Sequence, residues 1–262
     1  MQLNLFQVDA FTDTIFSGNP ACVVPLQTWL PVDTMLAIAR ENAVAETAFF
    51  ILRDEIIDLR WFTPEIEMDL CGHATLAAAH VLQAHLHYPQ KTMQFSIQSG
   101  ILTVWESEGS YTLDLPSRPP VASELPSIIR QSLNKQPKEV YQARDFMLVY
   151  ETEQDVLDIT IDRQTFDQIN IDPGGVIVTA PGNHCDFVSR FFTPQASILE
   201  DPVTGSAHCT LTPFWSKRLG KKTLTAQQVS ARLGKLLCTD NESRVHLQGN
   251  ARTYSVGTFW TV

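Results

Sequence analysis

Glu46 stands in an otherwise apolar run, 43–50, and is the best candidate in the sequence for a proton carrier. Glutamate is rarely buried without a reason. A buried carboxyl group has a raised pKa, which makes it a usable acid or base near neutral pH. The alternative is a strand residue that faces solvent or pairs with an arginine, and periodicity does not decide between the two.

Two glycines, Gly72 and Gly205, each open an apolar run that is predicted to be helical. The start of a helix carries backbone N–H groups without partners and has positive dipole character. Glycine lets a ligand approach those groups closely, because it has no Cβ. A single start of this kind is more often an ordinary capped helix. The matched pair predicts that both starts face one cleft and bind a carboxylate and an oxyanion.

Three polar residues accompany these helix starts. We expect the positive helix end to lower the pKa of His73 and to favour its neutral ring. His73 would then donate to a substrate oxygen or relay a proton, although capping is the commoner role of a lone histidine. Asp201 is predicted either to orient a substrate amine or hydroxyl or to help cap the helix. Ser206 offers a hydroxyl and a backbone N–H.

The elements that position these residues occur twice. The pentapeptide at 60–64, Arg-Trp-Phe-Thr-Pro, returns at 190–194 as Arg-Phe-Phe-Thr-Pro, and each copy leads through acidic residues to one of the two glycines. The offset is close to half of the 262 residues. A period this long is not that of a solenoid. It predicts two copies of one domain that face each other, with a site in the cleft between them.

The hydrophobic pattern predicts sequential strands joined by short turns and one long apolar helix in each half. Strands are predicted at about 3–8, 21–25, 46–52, 57–62, 94–105, 111–115, 146–150, 175–180, 186–192, 236–238, 244–248 and 251–260, and helices at 33–42, 72–87 and 205–218. The two long helices are too apolar for a surface, so each should run through a curved sheet. The proline-rich segment 116–126 is the best candidate for a linker. Each half is therefore expected to be a mostly antiparallel α+β unit.

Composition excludes several classes of function. The net charge of −10 argues against a nucleic-acid partner, which needs clustered lysine and arginine. The sequence predicts neither a signal peptide nor a membrane-spanning stretch. Five cysteines without Cys-x-x-Cys spacing are typical of free thiols in a reducing cytoplasm. No dinucleotide-binding, Walker, His-Glu-x-x-His or Gly-x-Ser-x-Gly motif occurs, so neither a cofactor nor a metal is predicted.

Several motifs in this order resemble the phenazine-biosynthesis isomerase (PhzF-like) family, which has the diaminopimelate epimerase fold. They are Val-Asp-Ala-Phe at 8–11, Gly-Asn-Pro-Ala at 18–21, Glu-Thr-Ala-Phe at 46–49, Phe-Thr-Pro at 62–64, Asp-Leu-Cys-Gly-His-Ala-Thr at 69–75 and Glu-Asp-Pro-Val-Thr-Gly-Ser-Ala-His at 200–208. The last two are the most specific. Residues from about 116 to 176 show no usable motif.

The resemblance implies two pseudo-symmetric domains, each a curved sheet around a central helix. Their bounds are expected at 1–117, joined by the last strand at about 257–262, and at 118–256. It implies a cofactor-free active site in the cleft and is compatible with a homodimer. The family's glutamate, which shuttles a proton between carbons of a cyclic, unsaturated carboxylic acid, falls on Glu46. The other implied site residues are His73 and Asp201 for catalysis and Asn19, Gly72, Gly205 and Ser206 for substrate binding.

Related epimerases and racemases use two thiols, one before each helix glycine. This sequence has Cys71 before Gly72 but Thr204 before Gly205. Threonine cannot serve as the second base near neutral pH, so an isomerase is preferred and Cys71 is expected to be a remnant or a packing thiol. The alternatives are an amino-acid racemase or epimerase and a non-enzymatic protein that binds a small acid.

Overall fold

The computed structural model describes residues 1–53, 55–171 and 174–261. Contacts between Cα atoms divide the chain into two compact units. The first unit is formed by Met1–Leu115 with His246–Val262, and the second by Pro116–Val245. The chain therefore returns to the first unit at His246, whereas the sequence predicted this return at about residue 257.

The first unit is a sheet with two helices, and its pairings are antiparallel except for β2–β3 and β4–β6. Its elements are β1 (Gln2–Ala10), β2 (Asn19–Leu26), α1 (Val32–Asn42), β3 (Glu46–Arg53), β4 (Ile56–Phe62), β5 (Glu67–Met68), α2 (Gly72–Ala84), β6 (Thr92–Ile97), β7 (Gly100–Ser107), β8 (Ser110–Pro116), whose last residue opens the second unit, and β18 (Ala251–Trp260). Strand β18 pairs with β1 along its whole length, from Ala10↔Ala251 to Gln2↔Trp260.

The second unit repeats this order of pairings. Its elements are β9 (Val121–Ala122), α3 (Ser127–Ser132), β10 (Glu139–Gln142), β11 (Phe146–Val149), α4 (Glu153–Leu157), α5 (Arg163–Phe166), β12 (Val176–Pro181), β13 (Phe187–Phe192), β14 (Glu200–Asp201), α6 (Gly205–Leu219), β15 (Thr223–Gln228), β16 (Gly234–Asn241) and the start of β17 (Arg244–Gly249). Its parallel pairs, β11–β12 and β13–β15, correspond to β2–β3 and β4–β6. The predicted α+β class, with mostly antiparallel sheets, is confirmed.

Each unit holds one long helix in its interior. Ten of the thirteen residues of α2 are buried, and the helix contacts β1, β2, β3, β7 and β18. In α6, nine of fifteen residues are buried. None of the helices in the described part of the chain is long and apolar enough to cross a membrane.

Pro213 lies inside α6. Proline has no N–H, so it cannot bond the carbonyl of Cys209 four residues earlier. The backbone N–H of Arg118 fills that place and donates to the Cys209 carbonyl at 2.9 Å. The segment 116–126 was predicted to be a linker. The boundary between the two units falls at its start, between Leu115 and Pro116, but the segment itself is hydrogen-bonded into the second unit, and β9 within it pairs with β10.

The repeated pentapeptide has a structural role that is the same in both units. Arg60 forms a two-pronged ion pair with Glu67, with both N···O distances at 2.7 Å. Arg190 forms the same pair with Glu200 at 2.7 and 2.8 Å. In each unit this pair fixes a strand end to the short strand, β5 or β14, that precedes the buried helix. The repeat therefore positions the start of α2 and the start of α6.

Candidate functional site

Glu46 is the first residue of β3 and follows a tight end of α1. Ala43 adopts a left-handed conformation, φ 52°, and donates its N–H to the Ala39 carbonyl, which turns the chain out of the helix. Three residues later β3 begins in parallel pairing with β2, with Glu46 opposite Ala21. The Glu46 side chain is 15% exposed. It is therefore not turned to solvent, and the charged partner that the structure gives it is a histidine, His73, and not an arginine.

The partner of Glu46 is His73, at the start of α2. Nε2 of His73 lies 3.1 Å from Oε2 of Glu46, and the His73 side chain is only 3% exposed. Both atoms are shielded from solvent, and their alignment falls short of a regular hydrogen bond. A buried carboxylate oxygen and a buried ring nitrogen thus share one small space.

The other ring nitrogen of His73 contacts two further side chains. The Asn19 carboxamide, which is wholly buried, lies with Nδ2 3.1 Å from Nδ1 of His73. Sγ of Cys71 lies 3.5 Å from the same nitrogen. A carboxamide carries both a donor and an acceptor, so Asn19 can serve either protonation state of the ring.

The expectation that His73 has a lowered pKa is wrong. Burial by itself lowers the pKa of His73, but its close contacts with Cys71 and Glu46 outweigh burial and raise that pKa well above its ordinary value. The helix dipole is a smaller influence than a carboxylate at contact distance. Burial, together with the charge of Glu46, raises the pKa of the Cys71 thiol to about 11, while His73 opposes this change. The thiol is therefore protonated at neutral pH.

Donor atoms of Glu46, Cys71 and His73 lie within 4.8 Å of one another, as the ligands of a metal ion would. The two flanking groups, however, contact different nitrogens of the ring, Nε2 and Nδ1. Each ring nitrogen therefore has a group beside it that can exchange a proton with the ring.

At the start of α6 the second unit brings together the other predicted residues. Gly205 is the first helical residue, and Oγ of Ser206 accepts a hydrogen bond from Nη2 of Arg144 at 2.9 Å. Oδ2 of Asp201 accepts a hydrogen bond from the Thr204 hydroxyl at 2.5 Å. This helix start thus has an arginine beside it.

The structure groups Asn19, Glu46 and His73 in the first unit, and Asp201, Gly205 and Ser206 in the second. Gly72 is the first residue of α2, beside His73. That both helix starts face one cleft stays a prediction. Two contributors were missed. Arg144, which bonds Ser206, is indicated only weakly in the sequence, by its place beside Asp145 just before an apolar strand. Gln228, whose carboxamide bonds Thr204 and Asp201, is not indicated at all, because those contacts form only in the tertiary structure.

Comparison with known proteins gives concordant matches over the whole chain. The profile of the family described as phenazine biosynthesis-like protein (PhzC-PhzF) matches residues 8–257. An uncharacterized isomerase of Pseudomonas aeruginosa is 43% identical over 98% of this chain and 99% of its own length. A crystal structure of a PhzF-family phenazine biosynthesis protein from Enterococcus faecalis superposes with a TM-score of 0.94 at 44% identity, covering 100% of both chains. A predicted epimerase of Pseudomonas aeruginosa shares the fold, with a TM-score of 0.75 at 18% identity over 99% of this chain and 100% of its own.

Proposed function

Because the chain belongs to the phenazine biosynthesis-like (PhzC-PhzF) family, we propose that it is a cofactor-independent isomerase. It moves a proton between two carbons of a small unsaturated carboxylic acid. The acid is either cyclic or open-chain. Glu46 is the general acid and base. The observation that carries the proposal is the shielded carboxyl group of Glu46 at 3.1 Å from the His73 ring, on a strand whose residues 48–52 are apolar.

The proton transfer needs one carboxyl group and no redox partner. The Glu46 carboxylate takes a hydrogen, as a proton, from a carbon next to the substrate's double bond. The electrons of that C–H bond form a new carbon–carbon double bond, and the old double bond shifts. Glu46 then returns the proton to the far carbon of the old double bond, which the electrons of that bond now join to the proton. Atoms and charge balance, and Glu46 ends in its starting form.

We assign His73 and Asn19 to positioning Glu46 for proton transfer. A protonated His73 ring places a positive charge 3.1 Å from Oε2 of Glu46, on the side from which the ring holds the carboxyl group. Asn19 keeps the ring in place through Nδ1 in either protonation state. The ring is buried, contacts Asn19 through Nδ1 and lies against Glu46 through Nε2, so its orientation costs little to maintain during turnover.

Substrate binding is assigned to the helix starts at Gly72 and Gly205. Backbone N–H groups at a helix start bind carboxylates well, and Ser206 with the neighbouring Arg144 adds side-chain donors. Asp201 is assigned to a substrate amine or hydroxyl. That the protein is cytoplasmic, and that it forms a homodimer, stay predictions.

A racemase or epimerase is the second candidate, and one contact favours it. Cys71 lies 3.5 Å from His73 and so has a route by which a proton can reach its sulfur. A two-base racemase needs a second group on the opposite substrate face, and Thr204 stands where the second thiol would be. The isomerase therefore fits the residues better.

The test is solvent hydrogen exchange with a defined panel of acids. The protein is incubated in deuterated water with cyclic and open-chain unsaturated carboxylic acids, and with proline and trans-4-hydroxyproline as racemase substrates. Deuterium uptake is read by mass spectrometry, and binding of each acid by calorimetry. Glu46→Gln keeps the shape of the side chain but removes the proton carrier, and Cys71→Ser is the matched control.

We expect Glu46→Gln to bind the active acid with unchanged affinity and to lose roughly 10²–10⁴-fold in exchange rate, as for removal of a positioned acid or base. Cys71→Ser should stay within a few-fold of the unmodified protein. If Glu46→Gln exchanged deuterium at the wild-type rate and Cys71→Ser lost that exchange, the racemase would be favoured over the isomerase. Tight binding of a panel acid without any deuterium uptake would replace both by a binding protein.

A further inference from the structure

Thr204 occupies the position just before α6 where a threonine usually caps the helix, yet its side chain makes no capping bond. Its hydroxyl donates instead to Oδ2 of Asp201 at 2.5 Å. Thr204 is almost wholly buried. A residue type suited to capping is thus used to hold a carboxylate.

Gln228, the last residue of β15, fixes the direction of that hydrogen bond. Its wholly buried carboxamide accepts the Thr204 N–H on Oε1 at 2.8 Å and donates from Nε2 to the Asp201 carbonyl at 2.7 Å. Each backbone group admits only one role, so the amide orientation is determined. Nε2 also lies 3.2 Å from Oγ1 of Thr204 and can only donate to it. The hydroxyl proton of Thr204 is therefore left for Asp201.

The two units differ at both of these positions together. In the first unit Met68 pairs with Trp61 in β4 as Asp201 pairs with Phe191 in β13. The residue before the helix glycine is there Cys71, and a thiol is a poor donor. Where no carboxylate has to be held, the hydroxyl is missing too. The coupled difference indicates that Thr204 serves Asp201 and not the helix.

We propose that Thr204 and Gln228 are positioning residues that hold the Asp201 carboxylate in the orientation in which it meets the substrate. The proposal rests on the proposed function, in which Asp201 binds a substrate amine or hydroxyl. It also gives a role to Thr204, which stands where the two-thiol epimerases and racemases have their second cysteine.

The test compares Thr204→Val with Thr204→Ser. Valine keeps the shape and removes the hydroxyl, whereas serine keeps the hydroxyl and removes the methyl group. Crystal structures of both variants give the rotamer of Asp201, a readout that needs no substrate. Exchange of an active panel acid in deuterated water gives the rate, and Thr179→Val is a control for the loss of a buried hydroxyl elsewhere in this unit, where Thr179 bonds the Val188 carbonyl.

We expect Asp201 to rotate away in Thr204→Val and to stay in Thr204→Ser. A catalytic group displaced by about 1 Å can cost about 10²-fold in rate. Thr204→Val should therefore lose about that factor, while Thr204→Ser and Thr179→Val stay within a few-fold. In an Asp201→Asn background, Thr204→Val should have no further effect, because it acts through the carboxylate.

Three results would overturn the proposal: an unmoved Asp201 in Thr204→Val, an equal loss of rate in the valine and serine variants, or additive losses in the double variant. Failure of the proposed function has a different signature. Asp201→Asn would then exchange as fast as the unmodified protein, while the rotamer comparison would still decide whether Thr204 holds Asp201.

Discussion

The two copies of the arginine–glutamate pair should differ in their importance for stability, although their geometry is the same. The Arg190–Glu200 side chains are 14% and 24% exposed, against 27% and 31% for Arg60–Glu67. Nη1 of Arg190 also donates to three carbonyls at and just beyond the end of α4, those of Val156 at 3.1 Å, Leu157 at 3.3 Å and Ile159 at 2.9 Å. Arg60, in the described part of the chain, donates only to Glu67.

The perturbation is Arg190→Met, with Arg60→Met as its match. Methionine keeps a long apolar stem, so the loss is mainly that of charge and hydrogen bonds. Breaking a largely buried pair leaves Glu200 uncompensated and costs about 3–5 kcal/mol, and unpaired carbonyls add to this cost. A pair with side chains about one third exposed is screened and contributes about 1 kcal/mol. The difference in unfolding free energy should therefore be at least about 2 kcal/mol.

The assay is urea denaturation of each variant, followed by circular dichroism, with calorimetry for the midpoint. For a unit of this size, 1 kcal/mol corresponds to a Tm shift of roughly 4 °C. Arg190→Met should then melt about 8 °C or more below Arg60→Met. Equal free-energy losses for the two variants would refute the reasoning that burial and the α4 carbonyls set the importance of the pair.

Three further predictions concern protons and packing. The raised pKa of His73 means that its ring stabilises the fold fully below about pH 6.5 and that this contribution is lost as the pH rises through the folded-state pKa. His73→Asn should remove that component from denaturation curves taken against pH. Burial raises the pKa of Cys22 and Cys238 to about 12, so these thiols ionise at lower pH in the unfolded chain than in the folded one. The unfolding free energy should therefore fall above about pH 9, and thiol reagents should label the native protein slowly. A Cβ on Gly175 would lie 2.7 Å from a backbone carbonyl oxygen, so Gly175→Ala should cost roughly 1–3 kcal/mol, while Gly257→Ala, in open space, should be near neutral by the same melting assay.

Local patterns were enough for the elements that carry the candidate site. The isolated acid in an apolar run located Glu46 at the start of β3, and the two apolar runs after glycine located α2 and α6. Helix α2 was expected to reach residue 87 and ends at Ala84. Strand β15 was missed, because Thr223–Gln228 is largely polar and has no apolar run of its own.

Contacts between distant residues were beyond local patterns. The pKa of His73 was expected to follow the helix start, whereas Glu46, in another strand, has the stronger influence. The assignment of Asn19 to substrate binding, made from its motif, stays a prediction, but the contact of its carboxamide with His73 was not foreseen. The short helices α3, α4 and α5 lie in a region without recognisable motifs, and helices this short have little intrinsic signal.

The antiparallel pairing of β1 with β18 has a consequence for the order of events during synthesis. Residues 11–250 are all made between the two strands, which at roughly 5–20 residues per second takes tens of seconds. During that time β1 has an open edge that invites pairing with other chains. A circularly permuted gene that begins at Pro116 would make the two strands within a short interval of each other, and the nascent chain should then aggregate less and need less chaperone assistance.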